Sequence, residues 1–122
     1  YWDCCKVSCG WNGKAAFNSP VKSCKIGGTD SVDVNAQSSC NGGPAYICNN
    51  NQPWAVNSTL AYGFAAAVLN GKSESDWCCG YYELKFTSGV AKGKTMAVQV
   101  TNTGSDLGQN HFDLLMPGGG VG

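Results

Sequence analysis

Beyond Tyr82 the chain alternates between apolar and polar side chains: Tyr82, Leu84 and Phe86 stand against Glu83 and Lys85, and Met96, Val98 and Val100 against Gln99 and Thr101. Successive side chains of a strand point to opposite faces, so each run predicts a half-buried strand. The linker from Thr87 to Lys94 holds two glycines and suits a loop or hairpin connection. A third strand is predicted over His111 to Met116, ended by Pro117 and the glycines at 118 to 120. Ahead of these runs, Leu60, Ala61, Phe64, Ala65, Val68 and Leu69 belong to a stretch that is apolar on nearly every side. With Asn57 or Ser58 as a cap and Asn70-Gly71 as a left-handed stop, it predicts one buried helix. From Tyr1 to Asn57 no periodicity is sustained, and Cys, Gly, Asn and Pro are dense. That half predicts loops and short strands held by disulfides, within a β-rich barrel or sandwich.

Composition narrows the partner. Eight lysines and no arginine balance eight acids in 122 residues, one domain's length. A net charge of zero gives no electrostatic footprint for nucleic acid or an anionic membrane, which points to a neutral partner. The apolar runs fall short of the roughly 20 residues that span a bilayer, and no charged-then-apolar leader precedes Tyr1, so the expectation is a mature, soluble protein. Eight cysteines suit staples formed in an oxidising compartment, hence secretion. A zinc site would need closely spaced ligand pairs, whereas the chain has no C-x-x-C and a single histidine, His111. Asn57-Ser58-Thr59 fits a glycosylation acceptor.

Two segments carry candidate chemistry. In Gln109-Asn110-His111-Phe112-Asp113-Leu114-Leu115-Met116 a strand puts His111 and Asp113 on one face. The apolar neighbours Phe112, Leu114 and Leu115 predict a desolvated carboxyl, raised toward the range of a general acid. The alternative is a structural carboxylate satisfied by a backbone or histidine hydrogen bond. In Tyr1-Trp2-Asp3-Cys4-Cys5 an acid follows two large aromatics and precedes adjacent cysteines that tie the segment in two directions. Residues alone favour reading Asp3 as an exposed acid beside core aromatics over a catalytic one. Trp11, between Gly10 and Asn12-Gly13, suits either a ring exposed for stacking on a sugar or a core side chain. Asp106, in Thr101 to Gly108, suits a turn-former or an acid closing over substrate. No nucleophile elbow is present.

Taken together, Tyr-Trp-Asp-Cys-Cys-Lys at 1 to 6, Asn-Gly-Gly at 41 to 43, Gln-Pro-Trp-Ala-Val-Asn at 52 to 57, Tyr-Gly-Phe-Ala at 62 to 65, Trp-Cys-Cys at 77 to 79, Asn-His-Phe-Asp at 110 to 113 and Pro-Gly-Gly-Gly at 117 to 120 resemble glycoside hydrolase family 45. The resemblance covers essentially the whole chain. It implies a mainly β fold: a six-stranded double-psi β-barrel with long disulfide-tied loops, one or more short helices and an open groove. The activity it implies is endo-cleavage of β-1,4-glucan with inversion, by a secreted monomer acting on cellulose and related β-glucan chains, with no metal or organic cofactor and no nucleic-acid or membrane partner.

By the same resemblance Asp3 is the general base, Asp113 the general acid, and Asp106 and His111 are accessory. Tyr1, Trp2, Lys6, Trp11, Lys14 and Ala66 would lie along or beside the groove. An inverting enzyme leaves room for water, so the two carboxyl groups are expected roughly 6.5 to 9.5 Å apart. The implied disulfides are Cys5 with Cys40, Cys9 with Cys78 and Cys24 with Cys48.

Two departures accompany the resemblance. Family members continue beyond the Gly-Gly-Gly-Val-Gly stretch, so residues 1 to 122 are expected to be the N-terminal part of a single catalytic domain, with Cys4 and Cys79 bonding cysteines outside this sequence. Relatives often carry another cysteine where this chain has Tyr81. The rival reading is an expansin-like, non-hydrolytic wall-loosening or carbohydrate-binding protein, because expansins share the barrel and the His-Phe-Asp motif; they lack the Tyr-Trp-Asp base.

Overall fold

The computed structural model describes residues 1–117; the glycines at 118 to 120, part of the strand-ending and family motifs, lie outside the described residues. The chain is mainly β. Short 3-10 turns at Ser8–Gly10, Ser39–Asn41 and Asn49–Asn51 punctuate the first half, followed by β1 (Trp54–Ala55), β2 (Leu60–Val68), the one-turn helix α1 (Glu74–Trp77), β3 (Tyr81–Lys85), β4 (Thr95–Thr103) and β5 (His111–Leu114). The alternating runs over Tyr82 to Phe86 and Met96 to Thr101 fall on β3 and β4, and the His111 run on β5.

Residues 60 to 69 are not a helix. Leu60–Val68 form β2, which pairs in parallel with β4 on one side and antiparallel with β1 and β5 along the other. The apolar pattern that suggested a helix has a different cause: Ala65 and Ala67 pack into the core from one face of the strand, while Ala66 is buried on the other. A strand covered on both faces loses its alternation and cannot be told from a buried helix by periodicity. The cap assigned to Asn57 is present, but it closes a turn: Asn57 Oδ1 accepts from the main-chain nitrogens of Thr59 and Leu60, both at 2.9 Å. Gly63 lets β2 approach its neighbours, since a Cβ there would fall 2.4 Å from Met96 Cε.

The strand order is β1-β2-β4-β3, with β5 beside the distal half of β2. Among the described residues β3 bounds one side and β1 with β5 the other, so the five strands make an open sheet rather than a closed barrel. The β2–β4 register shifts between Ala65, paired with Val100, and Ala66, paired with Asn102. Thr101 is the extra residue of that bulge, which re-aims the end of β4.

The N-terminal half is loops and isolated bridges, with Cys5 and Cys24 each bridged to Tyr46. Disulfides join Cys5 to Cys40, Cys9 to Cys78 and Cys24 to Cys48, and Cys4 and Cys79 have no disulfide partner among the described residues. The Cys9–Cys78 bond closes 69 residues and sits in the core with Ala67, Trp77 and Val100. A loop of that length is worth about 4 kcal/mol in lost chain entropy, enough to fix a loop-rich half that has little packing of its own. No helix among the described residues is long and apolar enough to cross a membrane.

Candidate active site

Asp113 sits on β5 directly opposite Ala66 of β2, with His111 opposite Val68 on the same face. The alternation that puts these two together turns Phe112 and Leu114 to the opposite face, where they pack with Ala65 and Val98. The desolvated surrounding expected for Asp113 is therefore not what forms. Its side chain is 41% exposed, and its Oδ1 accepts a hydrogen bond from the Tyr1 main-chain nitrogen at 2.8 Å.

The first residues run along the end of β5. The Met116 nitrogen donates to the Tyr1 carbonyl at 2.9 Å, and the Tyr1 nitrogen also reaches the Leu114 carbonyl. Two residues span at most about 7 Å between Cα atoms, so Asp3 is tethered close to the strand that carries Asp113. Asp3 is exposed, its Oδ1 accepting from the Cys5 nitrogen at 3.2 Å. With Trp2, which is half exposed, it lines a cavity of about 430 Å³ whose other walls include Ile26, Tyr46, Asn49 and Pro117.

Tyr1 turns its ring inward against Val7, Ile47, Leu115 and Phe64. Burial pushes its phenol well above the usual tyrosine range, with Asn102 and Thr101 pulling the other way. Among the described residues, neither the Tyr1 hydroxyl nor Thr101 Oγ1, both buried, has a hydrogen-bond partner within bonding geometry.

Lys6 is buried. Its ammonium donates to the carbonyls of Val34 at 2.6 Å and Ala36 at 2.8 Å and stands 3.3 Å from the centre of the Trp11 ring. Burial lowers its pKa, partly offset by Asp33. Trp11 is half-buried, so this cation stacks on one face of a ring that still reaches the surface.

Lys14 pairs with Glu74 at 2.8 Å. His111 Nδ1 accepts from the Gly108 nitrogen at 3.1 Å, which ties the loop after β4 back to β5. Asp106 is exposed at the tip of that loop. The structure thus brings Tyr1, Ala66, His111 and Asp113 together at β5, with Trp2 and Asp3 on the exposed chain that follows Tyr1, while Lys6 and Trp11 flank the first 3-10 turn and stack on each other and Lys14 pairs with Glu74.

Glu74, Thr103 and Asn102 were not among the sequence candidates. Asn102 Oδ1 accepts from the Ser8 nitrogen at 2.8 Å, and Thr103 is bonded to Glu74, Trp77 and Ser8. One signal for Glu74 existed: Ser73-x-x-Asp76 marks a helix start, and the Ser73 nitrogen does donate to Asp76 at 2.8 Å.

The family model for glycosyl hydrolase family 45 matches residues 1–122. A Fusarium oxysporum protein is 59% identical over 123 residues, covering all of this chain and 33% of its own length. An endoglucanase of Cryptopygus antarcticus is 56% identical over 122 residues, covering 100% of this chain and 54% of the relative. The crystal structure of the cellulase from this Antarctic springtail superposes with a TM-score of 0.92 at 56% identity, covering 100% of this chain and 58% of that one. The chain thus spans between a third and somewhat over half the length of these relatives.

Proposed function

Because the chain belongs to glycosyl hydrolase family 45, we propose that the protein hydrolyses internal β-1,4-glucosidic bonds of cellulose and soluble β-glucans, as a secreted monomer and with inversion at the anomeric carbon. Asp113 is the general acid that protonates the glycosidic oxygen. Asp3 is the general base that activates water on the opposite face of the sugar. Asp106 and His111 serve as accessory groups, and Trp11 offers its free face to a glucose ring. In this reading the open sheet is part of the six-stranded double-psi barrel of the family.

The observation that carries the reading is the run of Tyr1 along the end of β5, where the Met116 nitrogen donates to the Tyr1 carbonyl at 2.9 Å. It tethers the segment bearing one carboxylate to the strand bearing the other, and two carboxyl groups about one sugar linkage are what inversion requires. The exposure of both acids also suits groups that must meet a polymer from solution.

The test is reducing-sugar release from carboxymethylcellulose, followed by nuclear magnetic resonance of the first-formed anomer from a short cello-oligosaccharide. Release with the α-anomer formed first is the expected result. Binding to glucan without any release would instead favour the wall-loosening alternative.

A further inference from the structure

Glu74 is the point where three segments meet. Its Oε1 accepts from Lys14 Nζ at 2.8 Å, and its Oε2 accepts from Thr103 Oγ1, also at 2.8 Å. The same Thr103 oxygen accepts from Trp77 Nε1 at 3.1 Å and from Ser8 Oγ at 3.2 Å, so its one proton and both lone pairs are committed. Burial works against the Glu74 carboxylate, yet the hydrogen bonds from Lys14 and Thr103, the neighbouring Ser8 hydroxyl and the Lys14 charge outweigh it and hold the carboxyl below the usual glutamate range. Close by, the Cys9–Cys78 disulfide joins two of the same segments covalently.

What leaves this junction matters. Lys14 ends the stretch that begins at Trp11, and Thr103 is the last residue of β4, three residues ahead of Asp106. We propose that Glu74 is a positioning residue for glucan hydrolysis: through Lys14 it fixes the Trp11–Lys14 arm, and through Thr103 it fixes the root of the Asp106 loop, so that both arms hold one register along the groove. This rests on the groove reading above. Glu74 itself touches no substrate. A carboxylate suits the role because its two oxygens accept from opposite sides, one from a cation and one from a hydroxyl, and no neutral side chain of that length does both.

The experiment compares the parent protein, Glu74→Gln, Thr103→Val, Thr103→Ser and Asp113→Asn on cellohexaose. Glu74→Gln and Thr103→Val are expected to raise KM roughly fivefold while kcat stays within about twofold of the parent, because the arms bind the chain and do not perform the chemistry. Thr103→Ser keeps the hydroxyl and is expected to restore the parent KM. A purely structural role would lower the melting temperature and active fraction while leaving KM unchanged, and that result overturns the inference. If Glu74→Gln does not fold, the Thr103 pair decides by the same criterion. The parent and Asp113→Asn separate the two levels of argument: a parent that cleaves no cellohexaose defeats the hydrolase reading, full activity in Asp113→Asn defeats the assignment of its acid, and an active parent with an unchanged KM in Glu74→Gln and Thr103→Val defeats only the positioning role.

Discussion

Ala66 stands directly across from Asp113 in the antiparallel ladder, and its partner on the other side of β2 is Asn102. A methyl is all that the position holds, at 2% exposure. Cross-strand partners share a face with Cβ atoms about 5 Å apart, so any larger side chain at 66 presses on the Asp113 carboxyl. Ala66→Leu is expected to lower kcat on soluble β-glucan at least tenfold, because a displacement of about 1 Å at a reacting group costs that much or more. Overpacking adds a destabilisation of roughly 1–3 kcal/mol, read as a drop in melting temperature. Full activity with a lowered melting temperature would show that Asp113 does not work from its present place.

Replacing either acid tests the division of labour. Asp113→Asn and Asp3→Asn keep the shape of the side chain and remove the ionisable oxygen, so glucan binding, measured by affinity electrophoresis, is expected to persist. Turnover is expected to fall by about 10²–10⁴-fold in each. Asp3 and Asp113 both lie at the surface, so neither change should cost much stability. Loss of binding together with turnover in Asp3→Asn would move that residue from proton transfer to substrate contact.

Much of this architecture can be read from the residues, and the failures have identifiable causes. The strands β3, β4 and β5 announce themselves because each has one covered and one wetter face, as in Tyr82 and Leu84 against the exposed Glu83 and Lys85. β2 does not, since Ala65, Ala66 and Ala67 are all buried. For Asp113, apolar neighbours in sequence suggested an apolar environment, although alternation sends Phe112 and Leu114 to the other face. The bulge at Thr101 leaves no mark in composition. The meeting of Ser8, Lys14, Glu74 and Thr103 depends on contacts 29 to 95 residues apart, which no local pattern encodes.

The bulge makes a prediction of its own. Thr101 is 1% exposed and acts on the nearby Tyr1 phenol, and among the described residues neither buried hydroxyl has a hydrogen-bond partner within bonding geometry. Each such group forgoes the hydrogen bonds it makes with water in the unfolded chain. The pair Tyr1→Phe with Thr101→Val removes both oxygens and keeps shape and volume, so the variant is expected to be as stable as the parent or more so, by about 1 kcal/mol in denaturant unfolding. A loss of 1–3 kcal/mol would mean that an ordered water bridges the two oxygens and contributes to stability.

Acid stability should carry the signature of Glu74. Its carboxyl is held below the ordinary value of 4.5 in the folded protein by Lys14, Ser8 and Thr103, against the opposing effect of burial. Between the depressed folded pKa and 4.5 the unfolded chain therefore binds more protons than the folded one, and stability rises with pH across that window. The contribution is complete above the unfolded value and is lost as pH falls through the folded one. Glu74→Gln removes the titration, so parent and variant should differ in melting temperature at pH 7 and converge as pH falls through the depressed folded value, where the parent carboxyl becomes protonated as well. A gap that stays constant down to the lowest pH would assign the loss to packing around Trp77 and Thr103 rather than to the charge shared with Lys14.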